Sequence, residues 1–172
     1  AARFLALTGW RRGEVLGLTW AAIDLDRRTA TLADTKTGRS IRPLSITACD
    51  LLQALPRAGA LVFPATRGDG PMNGFPKFWA RIAALGALPA DVTPHTLRHS
   101  FASIAGDLGY SESTIAALIG HKGQSITSRY VHAADAVLLA AADAVAGHIA
   151  ATMEEKEGAT VRPLGNAKRS GS

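Results

Sequence analysis

The stretch that most restricts how this chain can fold is Thr93-Pro94-His95-Thr96-Leu97-Arg98-His99-Ser100-Phe101, because it marks both where a helix starts and which of its sides is apolar. Thr93 suits the N-cap. Pro94 suits the first helical position, where its missing N–H would be unpaired in any case. Behind them Leu97, Phe101, Ile104 and Leu108 recur at helical spacing and form one apolar stripe. His95 and Arg98 fall off that stripe. Three residues apart, they are expected to point from one exposed face of the first turn, where the helix dipole and free backbone N–H groups already favour an anion. The pattern therefore favours a phosphate site. His95 and His99, four apart, would also suit half of a metal site. Against that, no acid lies between them as on a zinc-protease helix, and Cys49 is the only cysteine.

Around that helix the chain changes period several times. Phe4, Leu5 and Leu7 mark a helix over residues 1–8, which Gly9 can end in a left-handed cap, and a second helical pattern covers 12–18. Arg11 and Glu14, between and within them, are at helical spacing. Taken alone they read as a solvated surface pair, although the carboxylate has the reach to fix the orientation of that guanidinium or a neighbouring one. Residues 23–25, 29–32 and 40–44 read as strands, with a turn at 26–28 and Lys36-Thr37-Gly38 as the tip of the last hairpin; Pro43 then requires an edge position or a bulge. A helix over 47–55 should bury Leu51, Leu52 and Leu55. A later one should carry Phe75, Phe78, Trp79, Ile82 and Leu85 on one face and Lys77 and Arg81 on another. Gly109 ends the His95 helix, Ser111 caps the next, and Gly120 stops that one immediately before His121. Ser125 can cap a short turn bearing Ile126, Arg129 and Tyr130. Residues 133–150 form an alanine-rich helix whose narrow stripe of Leu138, Ala141, Val145 and Ile149 suits a groove of its own domain or of a neighbour. Residues 151–172 are read as a disordered tail. The expected fold is α+β and mainly α-helical, one domain over residues 1–150 with a small three-stranded antiparallel sheet at one edge.

At 172 residues and 47% hydrophobic content the chain has material for one buried core. Its formal charge of +5 and pI of about 9.9 point to a polyanionic partner, because Lys and Arg gain affinity by displacing the counterions condensed on nucleic acid. A single cysteine excludes an internal disulfide and fits a reducing compartment. No signal-peptide pattern opens the chain. The longest apolar run, 136–150, contains Asp143 and His148 and is read as too short and too polar to span a bilayer. A soluble, cytoplasmic protein without membrane contact is expected. Because the chain opens inside a helical pattern and without methionine, a fragment that lacks an N-terminal part is also expected.

Taken in order, Thr8-Gly9-Trp10-Arg11-Arg12-Gly13-Glu14, Thr35-Lys36-Thr37-Gly38, His95-Thr96-Leu97-Arg98-His99, Leu118-Ile119-Gly120-His121-Lys122 and Ser128-Arg129-Tyr130-Val131-His132 resemble the catalytic domain of the tyrosine recombinases, the phage integrase family. None of these motifs is specific alone; five in one order, on suitable elements, are. The resemblance implies that Arg11 and Arg98 are the family's two arginines, His95 the histidine of its His-x-x-Arg pair, Lys36 its hairpin lysine, His121 its second histidine and Tyr130 the nucleophile. Glu14 matches a supporting acidic position. Trp10 stands where an aliphatic residue is common. The basic residues expected against DNA are Arg12, Lys77, Arg81, Lys122 and Arg129.

The implied activity is site-specific recombination or integration of double-stranded DNA through a 3′-phosphotyrosyl intermediate, without metal, ATP or another cofactor. The residue types suit it. Two guanidiniums can hold phosphoryl oxygens by bidentate, charge-assisted hydrogen bonds. A phenol with a pKa of about 10 has to lose its proton during attack, and an imidazole titrates near neutrality. The resemblance further implies a homotetramer on DNA joined through the helix at 133–150, a monomer or weak oligomer when free, and an N-terminal DNA-gripping domain that this chain lacks. Binding by the chain alone is then expected to be weak and salt-sensitive. A topoisomerase-like relaxing enzyme would use the same chemistry. A non-catalytic DNA-binding module, and a metal-dependent hydrolase using His95, His99, His121 and His132, are the competing classes.

Overall fold

The computed structural model describes residues 1–35, 38–65, 68, 70–120 and 131–157. Its first helix, α1 (Ala2–Thr8), is apolar on nearly every side, and Phe4 through Trp10 are all buried. A helix without a polar face has to lie inside. Phe4 and Leu5 pack in one apolar cluster with Trp10, Val15, Leu44 and Leu52, while Ala6 and Leu7 pack in another with Phe101, Leu118, Val145 and Ile149. The helix thus divides the core in two.

The first cluster is closed by α2 (Arg12–Leu16), a 3-10 turn (Trp20–Ala22), the strands β1 (Ile23–Asp24), β2 (Thr29–Thr35) and β3 (Gly38–Pro43), and the helices α3 (Ile46–Gln53) and α4 (Phe75–Leu85). The second is closed by α5 (Pro94–Asp107), α6 (Glu112–Ile119) and α7 (Val131–Glu157). The strands form the expected antiparallel sheet in the order β1-β2-β3, with Ile23 opposite Ala30 and Thr31 opposite Ile41. Pro43 is tolerated because β3 is an edge strand. Strand parity then has an unusual result: Ile41 is 61% exposed, whereas Arg42, on the face of Leu44, is fully buried. Ser45 and Ser111 cap α3 and α6 by accepting from the N–H groups of Ala48 and Thr114.

Four expectations change. In α4 only Phe75 and Trp79 are buried; Phe78, Ile82 and Leu85 are exposed, because the helix meets the body along a narrower strip than its apolar face provides. In α7 the helix runs on to Glu157, so residues 151–157 do not belong to an unstructured tail. The buried stripe of that helix is also wider than expected, taking in Ala141, Ala142, Val145, Ala146, Ile149 and Ala150. These small residues let α7 lie close against α1, α3, α5 and α6 of its own domain. Finally, Ala136–Glu154 does qualify as a membrane span by length and composition, with 19 residues and a mean hydropathy of 1.6. This helix is also packed against its own domain. Asp143 accepts two hydrogen bonds of 2.8 Å from Arg28 and one of 2.7 Å from the Ile46 N–H, which ties the middle of α7 to the sheet and to the start of α3.

Candidate active site

The site starts from two left-handed glycines. Gly9 ends α1 at φ 62°, and a Cβ there would lie 2.8 Å from the Phe101 ring, so α1 and α5 meet nearly backbone to ring. That approach brings the Gly9 carbonyl within 2.8 Å of Arg98 Nη1. The same nitrogen donates to the Ile119 carbonyl at 2.6 Å. Gly120 then ends α6 at φ 69°.

Arg11 is the N-cap of α2, and Glu14 turns back on it: Oε2 accepts from the Arg11 N–H at 2.9 Å and Oε1 from Arg11 Nη1 at 3.0 Å. Arg11 Nη1 also donates to the Gly120 carbonyl at 3.1 Å. From β3, Arg42 meets the same carboxylate as a two-pronged fork, Nη1 to Oε2 at 2.9 Å and Nη2 to Oε1 at 2.8 Å, and Nη1 reaches the Ile119 carbonyl at 3.1 Å. Three guanidiniums therefore cap the last carbonyls of α6, where a helix leaves its oxygens unpaired and its dipole negative.

The electrostatics are lopsided. Arg11 and Arg42 are bonded to the carboxylate of Glu14, and Arg98 lies near enough to feel its charge without bonding it. Burial pushes the Arg98 guanidinium down to about 10, and repulsion from Arg11 and Arg42 adds to that, so it stays charged at neutral pH. Burial would raise the Glu14 carboxyl, but hydrogen bonds from Arg42 and Arg11 outweigh it and hold the group below the usual carboxylate range. Arg98 Nη2 is buried and has no hydrogen-bond partner among the described residues. Surplus positive charge and an unused donor fit an oxyanion.

The placement corrects two expectations. Arg98 does not share an exposed face with His95: it is 4% exposed, because α1 and α6, from 89 and 21 residues away, close over it. Glu14 is not half of a solvated pair, since its side chain is 10% exposed and serves Arg42 as well. His95 itself is exposed. It lines a depression of about 340 Å³ with Thr93, Pro94, Trp10, Arg12 and Gly13, beside the turn that presents Arg11. Its ring packs edge-on against His99, with 4.6 Å between centroids. Among the described residues no three His, Cys, Asp or Glu side chains gather as a metal site would require. Lys77 and Arg81 are exposed on α4. Lys36, His121, Lys122, Arg129 and Tyr130 lie outside the described residues.

Arg42 was not anticipated. Its signal was strand parity: two residues before Leu44, it shares the face that Leu44 turns inward. A local test follows. An Ala at 120 would place its Cβ against the Arg42 guanidinium and hold an L-residue at positive φ. Gly120→Ala should cost more than about 1 kcal/mol, read as a lower urea midpoint; an unchanged midpoint would show that the guanidinium is not seated there.

A mainly helical domain with an edge sheet, and an arginine cluster that can hold an oxyanion at the end of a helix, define the class. The chain belongs to the phage integrase family, whose pattern matches residues 1–136. The shufflon-specific DNA recombinase of Escherichia coli is 38% identical over 128 residues, which are 73% of this chain and 32% of that relative. The integrase from mycobacterium phage Brujita shares the fold with a TM-score of 0.66 at 21% identity, over 86% of this chain and 55% of its own. The Tn1549 transposon integrase, solved in complex with transposon right end DNA, does so with a TM-score of 0.56 at 20% identity, over 92% and 58%. The fold is that of tyrosine recombinase catalytic domains, and the chain spans about a third of the curated relative's length.

Proposed function

We propose that this domain breaks and rejoins double-stranded DNA by transesterification at Tyr130, as a site-specific recombinase or integrase. The observation that carries the proposal is the buried Arg98 Nη2, which has no partner among the described residues, in a cluster where three guanidiniums lie around one carboxylate. A scissile phosphate supplies the missing oxygens. Family membership and a DNA-bound neighbour of the same fold support it.

In this reading Arg11 and Arg98 hold the two non-bridging oxygens, whose charge grows as the phosphorus becomes five-coordinate. The Tyr130 phenol oxygen attacks phosphorus, the bond to the 5′ oxygen breaks, and a 3′-phosphotyrosyl linkage and a free 5′-hydroxyl result. His95 manages the phenol proton, Lys36 protonates the departing oxygen, and His121 donates to a phosphoryl oxygen. Glu14 orients Arg11. A second 5′-hydroxyl reverses the step, so the linkage itself conserves the bond energy and neither ATP nor a metal is required. Arg12, Lys77, Arg81, Lys122 and Arg129 meet the backbone, outside a membrane and in the cytoplasm. Packing of α7 on its own domain supports a monomer or weak oligomer in the free state; a tetramer on DNA would form as that helix engages a neighbour. The test is a nicked duplex carrying the cognate site, incubated in chelator. An adduct that survives denaturant, with Tyr130 as the linked residue, is expected; no adduct on a site the protein binds would sink the proposal.

A further inference from the structure

Resting on that reading, we propose that Arg42 is a positioning residue for strand cleavage: through Glu14 and the Ile119 carbonyl it sets where Arg11 and Arg98 present their remaining N–H groups. Arg42 is fully buried, so it cannot touch a DNA phosphate. The hydrogen bonds of its two terminal nitrogens run to the groups that orient the clamp. Both prongs of its fork fall on Glu14, and the two carboxylate oxygens they use are the ones that hold the Arg11 backbone N–H and Nη1. Its Nη1 also shares the Ile119 carbonyl with Arg98 Nη1, so a shift of one guanidinium displaces the other.

The surroundings are built to hold it. The guanidinium lies 5.4 Å from the centroid of the Trp10 ring, its Nε donates to Ser40 Oγ at 3.3 Å, and Gly120 lacks the Cβ that would occupy its place. Trp10 and Arg42 belong together: an aliphatic residue at position 10 would offer no π face to a buried cation. A lysine would not replace Arg42. Its single ammonium cannot span both oxygens of Glu14 and the Ile119 carbonyl in one plane.

Cleavage is measured as adduct formation in a single turnover at saturating DNA, with DNA affinity measured separately. Arg42→Lys should lower the rate about tenfold to a hundredfold while affinity changes less than about threefold, since the lost hydrogen bonds act on the orientation of the clamp and not on its charge. Trp10→Leu should move the rate the same way by about threefold to tenfold. Wild-type protein in the same assay separates the two levels. No adduct from wild type would remove the recombinase reading itself, whereas an Arg42→Lys rate within about twofold of wild type would overturn only the role of Arg42. Equal losses of rate and affinity, or loss of cooperative unfolding in both variants, would assign Arg42 to fold stability alone and also overturn it.

Discussion

Arg98→Ala should lower the rate of adduct formation at least about a thousandfold, and Tyr130→Phe should abolish the adduct, while the Tyr130→Phe protein binds the same nicked duplex within about twofold of wild type. Removing one preorganised donor from a developing oxyanion typically costs a hundredfold to a thousandfold, and Arg98 contributes a charge as well as an N–H that no described residue accepts. Activity and stability should separate in this variant. Arg98 is buried next to two like charges, and its lowered pKa of about 10 reflects the cost of keeping it there. Truncation relieves that repulsion while giving up two bonds to backbone carbonyls, Gly9 and Ile119. The urea midpoint of Arg98→Ala should therefore change little beside the loss of activity. The negative charge of a phosphate would offset that repulsion. Adduct formation by Tyr130→Phe, or by Arg98→Ala at a near wild-type rate, would refute the assignment of these residues.

Glu14→Ala carries the largest expected effect on stability, about 3–5 kcal/mol of destabilisation, because it strands a fully buried Arg42 without its counter-ion. Glu14 also separates Arg42 from Arg11, so its loss leaves like charges facing each other. The pH dependence follows from the direction of its shift. The folded carboxyl titrates below its unfolded value, so the stabilisation is complete above the unfolded range of about pH 4.3 and is lost as pH falls through the folded pKa. The contribution of Glu14 is isolated by comparison with Glu14→Gln: between pH 6 and pH 3 wild type should lose more of its urea stability than the glutamine variant. Parallel losses would show that the Glu14 carboxylate is not bound as the geometry indicates.

Much of this architecture is local chemistry. Pro94 at the start of α5, Ser111 before α6, and Gly9 and Gly120 at left-handed helix ends mark their elements through backbone geometry that a few neighbouring residues decide. The three-stranded sheet follows in the same way from short β-rich runs and turn residues. The family's motifs are short and contiguous, so Arg11, Lys36, His95, Arg98, His121 and Tyr130 could be named as candidates from their order along the chain. Burial was less so. Phe78 and Ile82 fit the apolar face of α4 but are not covered, and Leu108 on the α5 stripe is 43% exposed, because periodicity states which side is apolar and not how wide the surface opposite it is.

The amino-acid order alone settled the caps that start or stop several helices, which family pattern the chain carries, and which side chains are candidates for the chemistry. Only the packed molecule decided that Arg98 lies inside, that Glu14 serves two arginines, and that Arg42 completes the cluster from a strand 28 residues beyond Glu14 and 77 before Ile119. The reason is physical. A helix cap or a turn is determined by hydrogen bonds within a few residues, whereas the energy of a charged group depends on which oxygens and which other charges surround it, and those arrive from distant segments only when the core closes.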